Sequence, residues 1–267
     1  MSGGHGCAIG ARGAKIRRRM TSTSICTSTA EDITIRGRSL VDDLIGKVGF
    51  TEMACLVILG RVPAPEQIAV VDACLVALVE HGLTPSTLTT RLIYGSAPDA
   101  LQGAVAAGLL GVGSTFVGTV EGCARLLARV VAGESPDAIV AEHRAARRAI
   151  PGFGHPIHVP DDPRTPKILG VARARGVAGR HVAALETLAA AVDRGTGRHL
   201  TINATGAIAA ALADCGVPVE IMRGFALIAR CAGLVGHAHE EQQRPSMRAI
   251  WEAAEEAVPY EAKGETP

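Results

Sequence analysis

Aromatic side chains are scarce in this chain: four Phe, two Tyr and one Trp among 267 residues, or 3%. A core with so few rings must be built from Ala, Val, Leu and Ile, which suits closely packed helices better than a β-sandwich. A surplus of one charge is also missing, since 27 Lys and Arg face 26 Asp and Glu for a net charge of +1. That balance argues against an electrostatic nucleic-acid binder. The basic run Lys15-Ile16-Arg17-Arg18-Arg19 lies in a Gly-rich leader over residues 1–20 and reads as a disordered, solvated tail. The seven cysteines are odd in number, scattered and without a CxxC, which excludes a disulfide framework or zinc site and points to a reduced, cytoplasmic protein. The first twenty residues hold no apolar h-region, so no secretory signal is read there. Nor is there an unbroken membrane-length apolar run. Ala100 to Val120 is uncharged, but it contains Gln102, Ser114, Thr115, Thr119 and five glycines, and it reads as a buried helix entering a turn near Gly111-Val112-Gly113.

Helical signals are abundant. Thr51 is placed to cap "EMACLVILG", and Pro63 and Pro65 open a helix from about Glu66 to His81, with Gly82 as its stop. Ser135 and Pro136 begin "SPDAIVAEHRAARRA", and "INATGAIAAALADCG" closes at Gly216. The longest candidate, "VEIMRGFALIARCAGLVGHAHEEQQ", ends before Arg244-Pro245 and leaves only an acidic, Pro-containing tail. Ahead of all this, a short strand or extended arm is expected around Ile33–Ile35. Helix after helix with short turns makes the fold class all-α.

Two segments depart from scaffold composition. "PGFGHPIHVPDDPRTPK" (151–167) alternates stiff prolines with permissive glycines, and it displays His155, His158 and Arg164. Gly152 and Gly154 allow a ligand close to the main chain. His155 is a candidate donor or general acid/base, and Arg164 at a helix start can grip a carboxylate or phosphate. Taken alone, such a loop is also what a solvated surface connector looks like. The second segment, "RCAGLVGHAHEEQQRP", aligns Arg230, Gly233 and His237 on one helical face. Arg230 sits within an apolar run, where a charge needs a partner, and a substrate carboxylate would serve. His237 and His239 diverge on a helix, so no metal is assigned there.

In order along the chain, "GKVGFTEMACLVILGRVPAPEQ", "LLGVGSTFVGTVEGCARLL", "PGFGHPIHVPDDPRTPKIL", "LTINATGAIAAALADCG" and "LIARCAGLVGHAHEEQQRP" resemble the citrate synthase family. The likeness is greatest to its short citryl-CoA lyases and to the citryl-CoA-cleaving module of ATP-citrate lyase. The resemblance implies an almost wholly helical homodimer or higher homo-oligomer, with a large and a small domain and the active site in the cleft between them. On this chain, 21–150 and 221–267 would form the large domain and 151–220 the small one.

The implied chemistry is carbon–carbon cleavage or condensation between acetyl-CoA and oxaloacetate through an enolate. The ligands would be a CoA ester and a di- or tricarboxylate, with no separate cofactor, metal, nucleic acid or membrane. His155 would hold the carbonyl or hydroxyl oxygen and act as acid/base. Arg164, Arg230 and Arg244 would bind carboxylates, the last in the partner subunit's site. His81, in "VEHGL", would be a further ligand, and the backbone of Pro151, Gly152, Phe153 and Gly154 would contact the CoA adenine. Two departures stand out. The family's proton-transferring aspartate is matched by Thr205 of "NATG". The glycine turn carries Ser114, Thr115 and Phe116 where synthases place a histidine. The alternative is therefore a protein of the same fold with altered or lost catalysis, which binds a CoA ester or pairs with an active paralogue. Within that alternative, water or Glu121 could handle the proton.

Overall fold

The computed structural model describes residues 21–115 and 117–261. The expected disordered leader at 1–20 and the side chain of Phe116 lie outside the described residues.

The chain begins with a small antiparallel sheet of β1 (Cys26–Ser28), β2 (Ile33–Ile35) and β3 (Arg38–Ser39), so the extended arm expected at Ile33–Ile35 forms its middle strand. Ser39 then accepts the Asp42 N–H at 2.9 Å and caps one wide helical turn, Leu40–Leu44. The rest is helical: α1 (Phe50–Leu59), α2 (Pro65–Leu78), α3 (Pro85–Ser96), α4 (Leu101–Leu110), α5 (Thr119–Val131), α6 (Pro136–Ala145), α7 (Arg164–Ala174), α8 (Arg180–Thr196), α9 (Ala204–Asp214), α10 (Met222–Gln243) and α11 (Met247–Ala257). The fold is thus mostly helical, with a sheet too small to change its class. No described helix is long and apolar enough to cross a membrane, and the uncharged stretch after Pro98 supplies only the ten residues of α4.

α9 is the centre of the core. Ala204 and every position from Gly206 to Leu212 are buried, because α2, α5, α7 and α8 pack around it. Alanine at 207, 209, 210 and 211 lets those neighbours approach closely, while Leu127, Leu185, Leu188 and Leu212 fill the spaces between them. Each such leucine contributes roughly 2 kcal/mol by leaving water. α10 packs against α2, α3 and α4 and carries the buried Arg230.

Three local expectations are corrected. Thr51 does not cap α1, which starts at Phe50 behind Gly49; its hydroxyl instead donates to Asp72 Oδ1 at 2.6 Å and ties α1 to α2. α2 stops at Leu78 rather than His81, because the Glu80 carboxylate accepts the N–H groups of His81 (2.8 Å) and Gly82 (2.7 Å) and turns the chain. The supposed tail folds as α11, whose first N–H groups are taken by buried Glu241: Ser246 N at 2.6 Å and Met247 N at 2.8 Å. Glu241 is itself held by buried Arg91 on α3 at 2.9 Å.

Candidate active site

The loop between α6 and α7 is stitched to the segment leading into α9. Asn203 N donates to Gly152 O (3.0 Å), and Gly154 N donates to Thr201 O (2.8 Å). Asn203 Nδ2 donates to Gly154 O (2.9 Å), and Thr165 Oγ1 to Ile202 O (2.6 Å). Asp162 works from both ends: its N–H donates to Thr201 Oγ1 (2.8 Å) and its carboxylate accepts Ala204 N (2.9 Å) at the start of α9. The approach needs glycine on both sides. Gly152 has φ +90° and a Cβ there would lie 2.5 Å from Cys123 Sγ, whereas a Cβ on Gly206 would meet Gly152 O at 2.6 Å.

This seam brings His155 and His158 beside His81, which projects from the turn after α2. Ring centroids are 5.5 Å apart for His81 and His155, 5.4 Å for His81 and His158, and 4.3 Å, stacked, for His155 and His158. His155 Nδ1 accepts two backbone N–H groups, from Ile157 (3.1 Å) and His158 (3.0 Å). That assigns its proton to Nε2, so His155 presents a donor to the pocket and has no free lone pair. His81 Nε2 and His158 Nε2 are 3.2 Å apart, one donating to the other.

Two arginines flank the rings. Arg164, at the start of α7, is bound by Asp162 through Nε (2.9 Å) and Nη2 (2.8 Å). Burial alone would raise the Asp162 carboxyl, but hydrogen bonds from Arg164 and from Ala204 N outweigh it and bring the pKa down to about 2. Arg230 is only 5% exposed, and its Nε and Nη1 have no hydrogen-bond partner among the described residues. Burial lowers its pKa, Glu80 opposes that, and Arg164 adds to it. Burial is likewise the largest cause lowering His81, joined by Arg164, His158 and Arg230. For His155 it is burial again, then His158 and Arg164. The lowered pKa values of His81 and His155 favour their neutral imidazoles, and near them Arg230 carries N–H groups left unsatisfied among the described residues. A buried cation with unmade hydrogen bonds is costly, and an anion with oxygen acceptors would relieve it. One ring nitrogen from each histidine lies within 4.8 Å of the others, a spacing that could hold a metal ion. The fixed N–H of His155 and the neighbouring arginines make the cluster a better host for oxyanions.

The other expected residues lie apart from this cluster or are engaged elsewhere. Arg244 follows the last turn of α10 and is exposed. Thr205 sits in the first turn of α9, where its hydroxyl donates to Asn203 Oδ1 (2.7 Å) and shares a second bond with Thr119 Oγ1 (2.9 Å). Glu121 pairs with Arg223 at 2.9 Å and faces Arg125 at 3.9 Å. Phe153 points into the core, and the Gly152 and Gly154 carbonyls are occupied by Asn203.

Several supporting residues carried no role in the sequence. Asp162, immediately before Pro163-Arg164, aims the guanidinium. Glu80 fixes the His81 turn and is itself held by His237 Nε2 at 3.0 Å, whose Nδ1 accepts from Arg91 Nε at 3.0 Å. His158 was visible three residues after His155, but only folding shows its pairing with His81.

Comparison with known proteins bears on the family and the fold. Residues 61–251 match the family described as citrate synthase, C-terminal domain. The structure of citryl-CoA lyase from Hydrogenobacter thermophilus superimposes with a TM-score of 0.81 at 31% identity, covering 93% of this chain and 96% of that one. ATP citrate lyase from Methanosaeta concilii, solved in complex with (3S)-citryl-CoA, shares the fold with a TM-score of 0.76 at 21% identity, over 94% of this chain and 43% of its own. Among curated sequences, "Probable ATP-citrate synthase subunit 1" of Schizosaccharomyces pombe is 30% identical over 196 residues, 65% of this chain and 31% of that protein. The chain spans less than half the length of the curated relatives it matches. With a family match running through most of its length, from the end of α1 into α11, the chain belongs to the citrate synthase family.

Proposed function

We propose that the protein cleaves citryl-CoA into acetyl-CoA and oxaloacetate, or runs the same carbon–carbon bond formation in reverse. The observation that carries this reading is Arg230, buried with two N–H groups unpaired among the described residues, near His81 and Arg164. In this reading Arg164 and Arg230 hold the carboxylates of the four-carbon part. His155 donates its Nε2–H to the oxygen that is hydroxyl in citryl-CoA and carbonyl in oxaloacetate. The CoA chain runs past Pro151–Gly154, and the cleft lies between a large domain (21–150 with 221–267) and a small one (151–220).

Arg244 is assigned to the site of a second copy. An apolar groove of about 500 Å³ lined by Phe50, Leu109, Leu227, Ile228, Cys231 and Ala232 supports a homodimer, and next to it Leu110 is 86% exposed. Light scattering of the purified protein tests it: a dimer that Leu110→Glu splits supports the assignment, and a wild-type monomer refutes it.

The activity is tested with citryl-CoA by coupling released oxaloacetate to malate dehydrogenase. Turnover that His155→Ala abolishes supports the reading. Full activity in that variant removes His155 from the site, and no turnover in the wild type removes the reading. A second reading, ligand binding without catalysis, is favoured by the hydrogen-bonded Thr205 hydroxyl, which cannot ionise near neutral pH. Thermal stabilisation by CoA without turnover would support it. Gain of activity in Thr205→Asp would then show that only the acid had been lost.

A further inference from the structure

The cleavage proposed above needs a group that takes a proton from the hydroxyl and a group that returns one to the enolate carbon. Three residues near the pocket that could be asked to do so are engaged. The Thr205 hydroxyl is committed to Asn203 and Thr119. The Glu121 carboxylate is paired with Arg223. His155 has its only lone-pair nitrogen filled by two backbone N–H groups. There remains the His81–His158 pair. Their 3.2 Å Nε2–Nε2 contact needs one donor; with His158 Nε2–H in that role, His81 Nε2 accepts and carries its own proton on Nδ1. His158 Nδ1 is then a bare lone pair with no hydrogen-bond partner among the described residues. It lies on a half-buried ring, stacked 4.3 Å from the ring that would hold the reacting oxygen.

We propose that His158 is the general base of the cleavage and the acid that completes it, doing the work the family gives to the aspartate matched here by Thr205. The proposal rests on the citryl-CoA reading. The hydroxyl O–H bond breaks and its proton goes to His158 Nδ1. The oxygen forms the ketone as the bond between the hydroxyl-bearing carbon and the thioester α-carbon breaks, and that electron pair enters the thioester as its enolate. His158 Nδ1–H then protonates the α-carbon, giving oxaloacetate and acetyl-CoA with His158 restored. One proton leaves oxygen and one arrives at carbon, so no cofactor or oxidant is needed. The His81 lone pair holds the imidazolium formed in between, as an orienting partner does in other acid–base pairs.

The test uses the full-length protein with His158→Gln and His158→Ala. The loop backbone does not depend on this side chain, since the bond to His155 Nδ1 comes from the residue 158 N–H. Two rates are followed: cleavage of citryl-CoA, and oxaloacetate-dependent exchange of the acetyl-CoA methyl protons in D2O by mass spectrometry. The expected result is that both fall by roughly 10²–10⁴-fold in kcat, the usual contribution of a positioned acid–base group, with KM for citryl-CoA little changed and added imidazole restoring part of the activity of His158→Ala. Wild-type exchange in His158→Gln, or a loss confined to KM without imidazole rescue, overturns the proposal while leaving the citryl-CoA reading in place. A wild-type protein that neither cleaves nor exchanges overturns both.

Discussion

Replacing Asp162 with Asn probes the seam and the pocket together. The wild-type carboxyl is fully buried, is held at about 2 rather than 3.8, and receives hydrogen bonds from Arg164 Nε, Nη2 and N and from Ala204 N. A depression of that size corresponds to about 2 kcal/mol of folding stability at neutral pH. The sign is that of a lowered carboxyl: the contribution is whole above the unfolded pKa and is lost as pH falls through the folded one, a window from about pH 4 to pH 2. At pH 3 roughly half of it remains. Asn keeps the shape but can accept at only one atom, and it leaves the Arg164 guanidinium without its counter-charge. Urea denaturation should therefore show Asp162→Asn less stable than wild type by about 2–3 kcal/mol at pH 7, with the gap narrowing at pH 4 and again at pH 3. A gap that is absent at pH 7, or that stays constant down to pH 3, would refute the account of Asp162 as an ionised clamp.

Arg230→Met should separate stability from binding. Without ligand the variant melts at or above the wild-type temperature because a desolvated charge is gone, yet protection by oxaloacetate or citrate is lost, a cost of roughly 3 kcal/mol or more than a hundredfold in affinity; a lowered melting temperature with intact ligand protection would contradict this. Gly152→Ala should destabilise by roughly 1–3 kcal/mol in chemical denaturation, since its methyl would strike Cys123 and its φ is left-handed, and an unchanged midpoint would show the seam to be looser than described. His199 bridges Asp193 (2.8 Å) and Asp161 (3.1 Å), which raise its pKa through those hydrogen bonds. Its contribution is thus complete below the ordinary histidine pKa and lost as pH rises through the raised one, so His199→Gln should cost more stability at pH 6 than at pH 8.5, and an equal cost at both would remove the charge from the explanation.

Much of this was legible because it follows local rules. Proline at the first turn of α2, α3 and α6 and glycine beyond α5 and α9 mark helix ends that any reader of capping preferences can place. Arg230 could be suspected from its apolar setting, and the loop from its proline and glycine spacing. What stayed hidden depends on partners distant in sequence. α11 looked like a tail because its first turn is satisfied by Glu241, a residue of the preceding helix anchored in turn by Arg91, 150 positions away. Thr51 has the composition of a cap but spends its hydroxyl on Asp72 of the next helix. The pairing of His81 with His158 spans 77 positions and two turns, and no periodicity encodes it.

The double anchoring of the imidazole cluster also bears on how the pocket can be deformed. His155 and His158 ride on a loop fastened through main-chain bonds to the entrance of α9. His81 is fastened separately, through Glu80 and His237, to α10. The 3.2 Å contact between His81 and His158 is therefore a clasp between two independently mounted brackets. Any change in the spacing of α9 and α10, whether from a ligand, a neighbouring subunit or a distant substitution, must lengthen or shorten that clasp. The histidine ring resonances of these two residues become a built-in strain gauge for the whole cleft.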